Sequence, residues 1–178
     1  MAIWKFEDNT PVIGEGTFVA PTADVIGHVT IGTNCYIGPG ARIRGDYGTI
    51  HIGNGCSIQE NVVIHARPDE VTTIGNEVTI GHGSIIHNAT LDDYSVVGMG
   101  AIVSDYAKLG QWAILGEGAL AKNSFELQPG EIAVGLPAKV IGNINDKPEA
   151  KSELTKFKKK YQEMAARHLK DGALTRID

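Results

Sequence analysis

Three histidines, His65, His82 and His87, lie close together in the chain, and with Gln59, Arg44 and Asp46 they are the residues whose types and spacing could do chemistry. Neutral imidazole is a good ligand for Zn²⁺, and Fe²⁺ or Co²⁺ would also accept it. Three imidazoles leave the fourth position of a tetrahedral site open. A water held there has a pKa of roughly 7 and becomes a nucleophile for an electrophilic carbon. The Gln59 amide could orient that nucleophile by hydrogen bonding, but it takes no proton at neutral pH. Arg44 and Asp46, separated by one glycine, could serve as an anion clamp and a general base. More often such a pair is a structural ion pair. A lone histidine is usually a solvated side chain that ligates nothing, so the case rests on whether the fold brings these three together.

The elements that would position them are repeats. An aliphatic residue, often followed by Gly, recurs every six positions. The series runs Ile13, Val19, Val25, Ile31, Ile37 and Ile43, slips, and resumes at Ile52, Ile58 and Ile64. After the loop 66–73 it continues through Ile74, Ile80, Ile86, Leu91, Val97, Val103, Leu109, Leu115 and Ala121. A six-residue period is the signature of a parallel β-helix in which three short strands and three corners make one coil, so about eighteen repeats predict about six coils. The lead aliphatic points inward and the residue after it outward. The chain therefore divides into an N-terminal extension (1–12), a β-helix domain (13–141) and a C-terminal linker and α-helix (142–178). Asp146 and Pro148 read as an N-cap and an early proline. Leu154, Phe157, Tyr161, Met164, Ala165 and Leu169 form one apolar stripe at helical spacing, which predicts a helix docked alongside the prism with its lysine run solvated.

Counting every third repeat assigns Ile43, Ile64 and Ile86 to one column, with Arg44, His65 and His87 at the outward position on three successive coils. Neighbouring coils lie about 4.8 Å apart, so His65 and His87 can converge on one ion. His82 follows Ile80, in another column, between two glycines. It cannot reach the same site within one chain. A threefold trimer would bring His82 of one subunit to His65 and His87 of the next, giving equivalent metal sites at the interfaces.

Composition narrows the alternatives. Sixteen basic and twenty-one acidic residues give a formal charge of −5, which argues against nucleic acid or an anionic membrane as partner. No segment approaches the ~20 apolar residues of a membrane span, and the N-terminus lacks the order of a signal peptide. The expected location is cytoplasmic. Cys35 and Cys56 occupy equivalent positions one coil apart and are expected as buried thiols. The Arg44-Gly-Asp46 tripeptide as an adhesion signal and Asn88-Ala-Thr90 as a glycosylation acceptor are chance matches in such a setting.

The motifs Arg44-Gly-Asp46, Gln59-Glu-Asn-Val-Val-Ile-His65, Ile80-Gly-His82-Gly-Ser-Ile-Ile-His87 and Gly135-Leu-Pro-Ala-Lys139 together resemble the gamma-class carbonic anhydrases and their ferripyochelin-binding-like, phenylacetate and carnitine pathway relatives. The resemblance implies an all-β, left-handed parallel β-helix of hexapeptide repeats with a C-terminal α-helix, assembled as a homotrimer. It implies His65 and His87 from one subunit and His82 from its neighbour as zinc ligands, Arg44 and Asp46 as a pair across the interface, and Gln59 facing the reactive solvent. The implied activity is reversible hydration of CO₂ to bicarbonate. Where the resemblance implies an acidic proton-shuttling insertion, loop 66–73 is short and carries only Asp69 and Glu70, and Tyr47 stands in the place of a glutamate. Thioester hydrolysis by the same metal chemistry, acyl transfer, and a non-catalytic assembly role are the competing expectations.

Overall fold

The computed structural model describes residues 2–177. Its core is a parallel β-helix of about seven turns with one C-terminal helix. Strands of mostly two to four residues are separated by turns and collect into a 12-stranded and an 8-stranded sheet, both almost wholly parallel. The expected columns are seen as ladders. Ile43, Ile64, Ile86, Val103 and Ala121 pair rung upon rung. So do Ile37, Ile58, Ile80, Val97, Leu115 and Ala133, and Ile31, Ile52, Ile74, Leu91, Leu109 and Leu127. All are buried. β-branched and leucine side chains stacked at the rung spacing fill the prism without gaps, which is the physical reason the period is kept.

Two observations lengthen the helix beyond the six coils of the repeat count. The inward series goes on past Ala121 to Leu127 and Ala133, where lysine, asparagine, glutamine and proline at outward and corner positions obscure it in the sequence. At the other end Ala2–Trp4 pairs in parallel with Asp24–Ile26 as a further rung. Met1 and Asp178, the outer limits of the expected terminal segments, lie outside the described residues. The last coil is closed by Lys139–Asn143, which runs antiparallel to Glu131–Val134 and so covers an edge that would otherwise extend the sheet.

A 3₁₀ turn, Ile144–Asp146, precedes the helix Pro148–His168. Asp146 is therefore not the N-cap: Lys147 holds that position without a side-chain cap bond, and Pro148 opens the helix. The helix lies against the outer face of the smaller sheet on most of the expected stripe, with Ala165 buried and Tyr161 and Met164 packed against the core. Phe157 and Leu169 are half exposed, while Lys158 is buried at 4% exposure. Its ammonium donates to the Glu77 carbonyl at 2.6 Å and to Thr79 Oγ1 at 3.1 Å. The sheet's outer face supplies oxygen acceptors at that depth, so a lysine takes the place of an apolar residue. Cys35 and Cys56 are buried free thiols, as expected.

Candidate metal centre

The strand Arg42–Ile52 carries Arg44 and, two residues on, Asp46. Val63–His65 and Ile85–His87 are the next two rungs, with Arg44 opposite His65 and His65 opposite His87. His65 Nδ1 and His87 Nε2 face each other at 3.3 Å. Two nitrogens on one tetrahedral Zn²⁺, each at about 2.0–2.1 Å, are separated by about 3.3–3.4 Å. The far nitrogen of His65, Nε2, lies 3.2 Å from Asp46 Oδ1 and 3.2 Å from Arg44 Nη2. Arg44 Nη1 and Asp46 Oδ2 are 3.5 Å apart, so these two already pair within a chain. Burial first, and the Arg44 guanidinium next, hold the His65 imidazolium below its ordinary range, with Asp46 opposing. A neutral ring is the ligating form. A cavity of about 480 Å³ opens over these residues, with Tyr47, Arg67 and Glu70 on its walls.

His87 has a partner that sequence reasoning missed. Its Nδ1 lies 2.5 Å from Asp105 Oδ1, and Arg67 Nε lies 3.3 Å from the other Asp105 oxygen. Asp105 sits in the corner after Ile102–Val103, one coil beyond His87 and one residue past the outward position of that column. Glu70, one of the two carboxylates of the short loop 66–73, is engaged through both oxygens. One of its oxygens accepts from Tyr106 Oη at 2.9 Å and the other from the Asn88 amide. Together with Arg67 these contacts pin the loop 66–73 against the next two coils, while Asp69 remains exposed.

His82 and Gln59 lie elsewhere. His82 stands in the corner between Thr79–Ile80 and Ile85–His87, with Gly81 and Gly83 on either side. A Cβ at Gly81 would come within 2.7 Å of the Met99 nitrogen, and Gly83 adopts φ +70°. Each therefore has a backbone reason to be glycine. His82 is half exposed, and its Nδ1 contacts a Glu60 carboxylate oxygen. Gln59 is buried at 4% exposure in the same corner one coil earlier, its amide directed to Ser57 Oγ at 3.5 Å. Among the described residues of one chain no three metal-ligating side chains converge. The chain thus brings together Arg44, Asp46, His65 and His87, and holds His82 with Gln59 on a different corner. The remaining histidines are apart from both groups: His28 contacts Thr49 Oγ1 at 3.0 Å, His51 is exposed, and His168 stacks on Phe18 with centroids 4.5 Å apart.

Known proteins add the following. A family described as bacterial transferase hexapeptide (six repeats) matches residues 10–45. The carnitine operon protein CaiE of Escherichia coli (strain K12) is 33% identical, over 94% of this chain and 84% of its own. The mitochondrial gamma carbonic anhydrase 2 of Arabidopsis thaliana is 34% identical over 93% of this chain, which spans 61% of that protein's length. A hexapeptide transferase family protein from Anaplasma phagocytophilum has the same fold, with a TM-score of 0.89, 34% identity, and coverage of 94% of this chain and 98% of its own.

Proposed function

The chain belongs to the hexapeptide-repeat family that includes CaiE and the gamma carbonic anhydrases, and from that premise we propose that it is a metal-dependent enzyme hydrating CO₂ reversibly to bicarbonate at the interfaces of a homotrimer. The observation that carries this reading is the pair of imidazole nitrogens 3.3 Å apart at the floor of an open cavity. Their spacing fits two ligands of one tetrahedral ion, Zn²⁺ first and Fe²⁺ or Co²⁺ as alternatives. Two further ligands are needed. His82 of a neighbouring chain would supply the third, leaving one position open to solvent.

The outer surface supports the assembly. Val63, Ile85 and Ile102 form an exposed apolar row beside the histidine row, each about 40% exposed (39%, 41% and 37%). Met99, Val134 and Leu136 are likewise exposed. Apolar surface of this kind, next to a half-complete ligand set, is what a second copy of the chain would cover. Gln59 rides on the corner that bears His82, so the same neighbour would deliver both.

When bound, the ion supplies a Lewis acid that makes water nucleophilic near neutral pH. The chain's own residues bind and orient. Arg44 and Asp46 hold the outer nitrogen of His65, and Gln59 offers an amide to hydrogen-bond the substrate or bicarbonate. Glu70, with both oxygens engaged, is fixed rather than swinging, which leaves Asp69 as the exposed carboxylate of that loop. Acyl transfer is the second reading, favoured by the similar fold of a protein from Bacillus cereus described as a putative acetyltransferase (28% identity, TM-score 0.85).

Metal analysis of protein prepared without oxygen, with stopped-flow CO₂ hydration and a thioester panel beside it, tests the proposal. Wild type should retain near-stoichiometric metal and hydrate CO₂, and His82→Ala should lose nearly all metal while keeping its far-ultraviolet spectrum. Full metal occupancy in His82→Ala, or a metal-free wild type that transfers acyl groups, would overturn it.

A further inference from the structure

The geometry points to Asp105 and Glu60 as positioning residues that decide which imidazole nitrogen of His87 and of His82 is presented to the metal, an inference that rests on the metal reading above. His87 and His82 share one arrangement, a carboxylate against the nitrogen turned away from the site; His65 has a carboxylate there too, but with the Arg44 guanidinium at the same 3.2 Å. At His65 it is Asp46 on Nε2, with Nδ1 turned to the site. At His87 it is Asp105 on Nδ1, with Nε2 turned to the site. At His82 it is Glu60 on Nδ1, which leaves Nε2 as the free donor.

Neutral imidazole has one N–H and one lone pair, and the nitrogen facing a carboxylate keeps the proton. The lone pair is then committed to the opposite nitrogen before any ion arrives. Both newly assigned carboxylates are themselves held. Asp105, only 14% exposed in its side chain, has Arg67 on its second oxygen at 3.3 Å. Glu60 accepts from Tyr36 Oη at 2.9 Å through one oxygen; the other is buried against His82 Nδ1 with no hydrogen-bond partner of its own among the described residues, which leaves that ring N–H as the donor within reach. Tyr36 is fixed in turn by Tyr161 of the C-terminal helix, with ring centroids 5.4 Å apart. Each carboxylate comes from the coil adjacent to its histidine, Asp105 from the coil after His87 and Glu60 from the coil before His82. The rung spacing that stacks the core is thus what sets the reach of these contacts.

Three readouts test the assignment in the full-length protein: side-chain ¹⁵N NMR of the histidines in metal-free protein, Zn²⁺ affinity by competition with a chromophoric chelator, and trimer mass by sedimentation. Metal-free wild type should show the Nδ1–H form at His87 and at His82. Asp105→Ala should abolish that preference at His87 alone, and Glu60→Ala at His82 alone. Each should weaken Zn²⁺ binding about 10- to 100-fold with the trimer intact. Asp105→Asn and Glu60→Gln keep the shape without the charge, and carry the test if an alanine variant does not fold. An unchanged tautomer, or an affinity within about twofold of wild type, would overturn the inference. Wild type that binds no Zn²⁺ would overturn the metal reading instead, while the tautomers would still report whether the carboxylates direct the rings.

Discussion

An imidazole presents one lone pair, and the contact on its other nitrogen determines which atom carries it. His65 and His87 could be picked out from the sequence because a histidine at the outward position of two equivalent rungs is an unusual pattern. Asp105 and Glu60 could not, because a carboxylate at a corner reads as ordinary surface until a ring is seen beside it. Lys158 is the same problem with opposite charge: in a run with Lys156, Lys159 and Lys160 nothing distinguishes the one that turns inward. Burial pushes its ammonium down to about 8 from 10.5, with Cys56 and Glu77 opposing. Between those values the unfolded chain holds a proton that the folded chain does not, so this residue's contribution to stability rises with pH. Urea unfolding of wild type and Lys158→Met at about pH 7.5 and about pH 10 should show the difference shifting in favour of wild type by on the order of 2 to 3 kcal/mol at the higher pH. An equal difference at both pH values would contradict the burial.

Strands of two or three residues have little stability of their own; they persist because each is paired on both sides and its inward residue is locked between rungs. Their outward residues are free to vary, and that freedom carries the function. Along Val63–His65 and Ile85–His87 the outward positions alternate an apolar residue with a histidine, so one face offers both grip and ligand. Ile85→Asp puts a charge into the apolar row without touching the core. We expect at least tenfold weaker trimer association by sedimentation, lost metal, and an unchanged far-ultraviolet spectrum. A stable, metal-loaded trimer in that variant would show that this row faces solvent. The helix illustrates the limit of periodicity at this scale: its apolar stripe announced the docked face through Tyr161, Met164 and Ala165, but the inward turn of Lys158 was decided by the acceptors on the sheet, which periodicity does not contain.

For the molecule as a whole, a shared site makes complementation possible. Chains carrying His82→Ala can still offer His65 and His87, and chains carrying His65→Ala with His87→Ala can still offer His82. Each is expected to be metal-poor alone. After dissociation and reassembly in equal mixture, about one site in four should regain metal and activity. No recovery from mixed trimers would place all three ligands within one chain. The sequence by itself determined the parallel β-helix, its three columns and the register of Arg44, His65 and His87, because a strict six-residue period leaves a stacked chain only one way to bury its aliphatic residues. It did not determine the number of turns, since Leu127 and Ala133 are masked by polar neighbours. Nor did it reveal the clasp on Glu70, the inward turn of Lys158 or the carboxylates behind His82 and His87. Those contacts join different coils through corner and loop side chains, whose directions depend on local backbone and neighbouring acceptors rather than on period, and only the tertiary structure decided them.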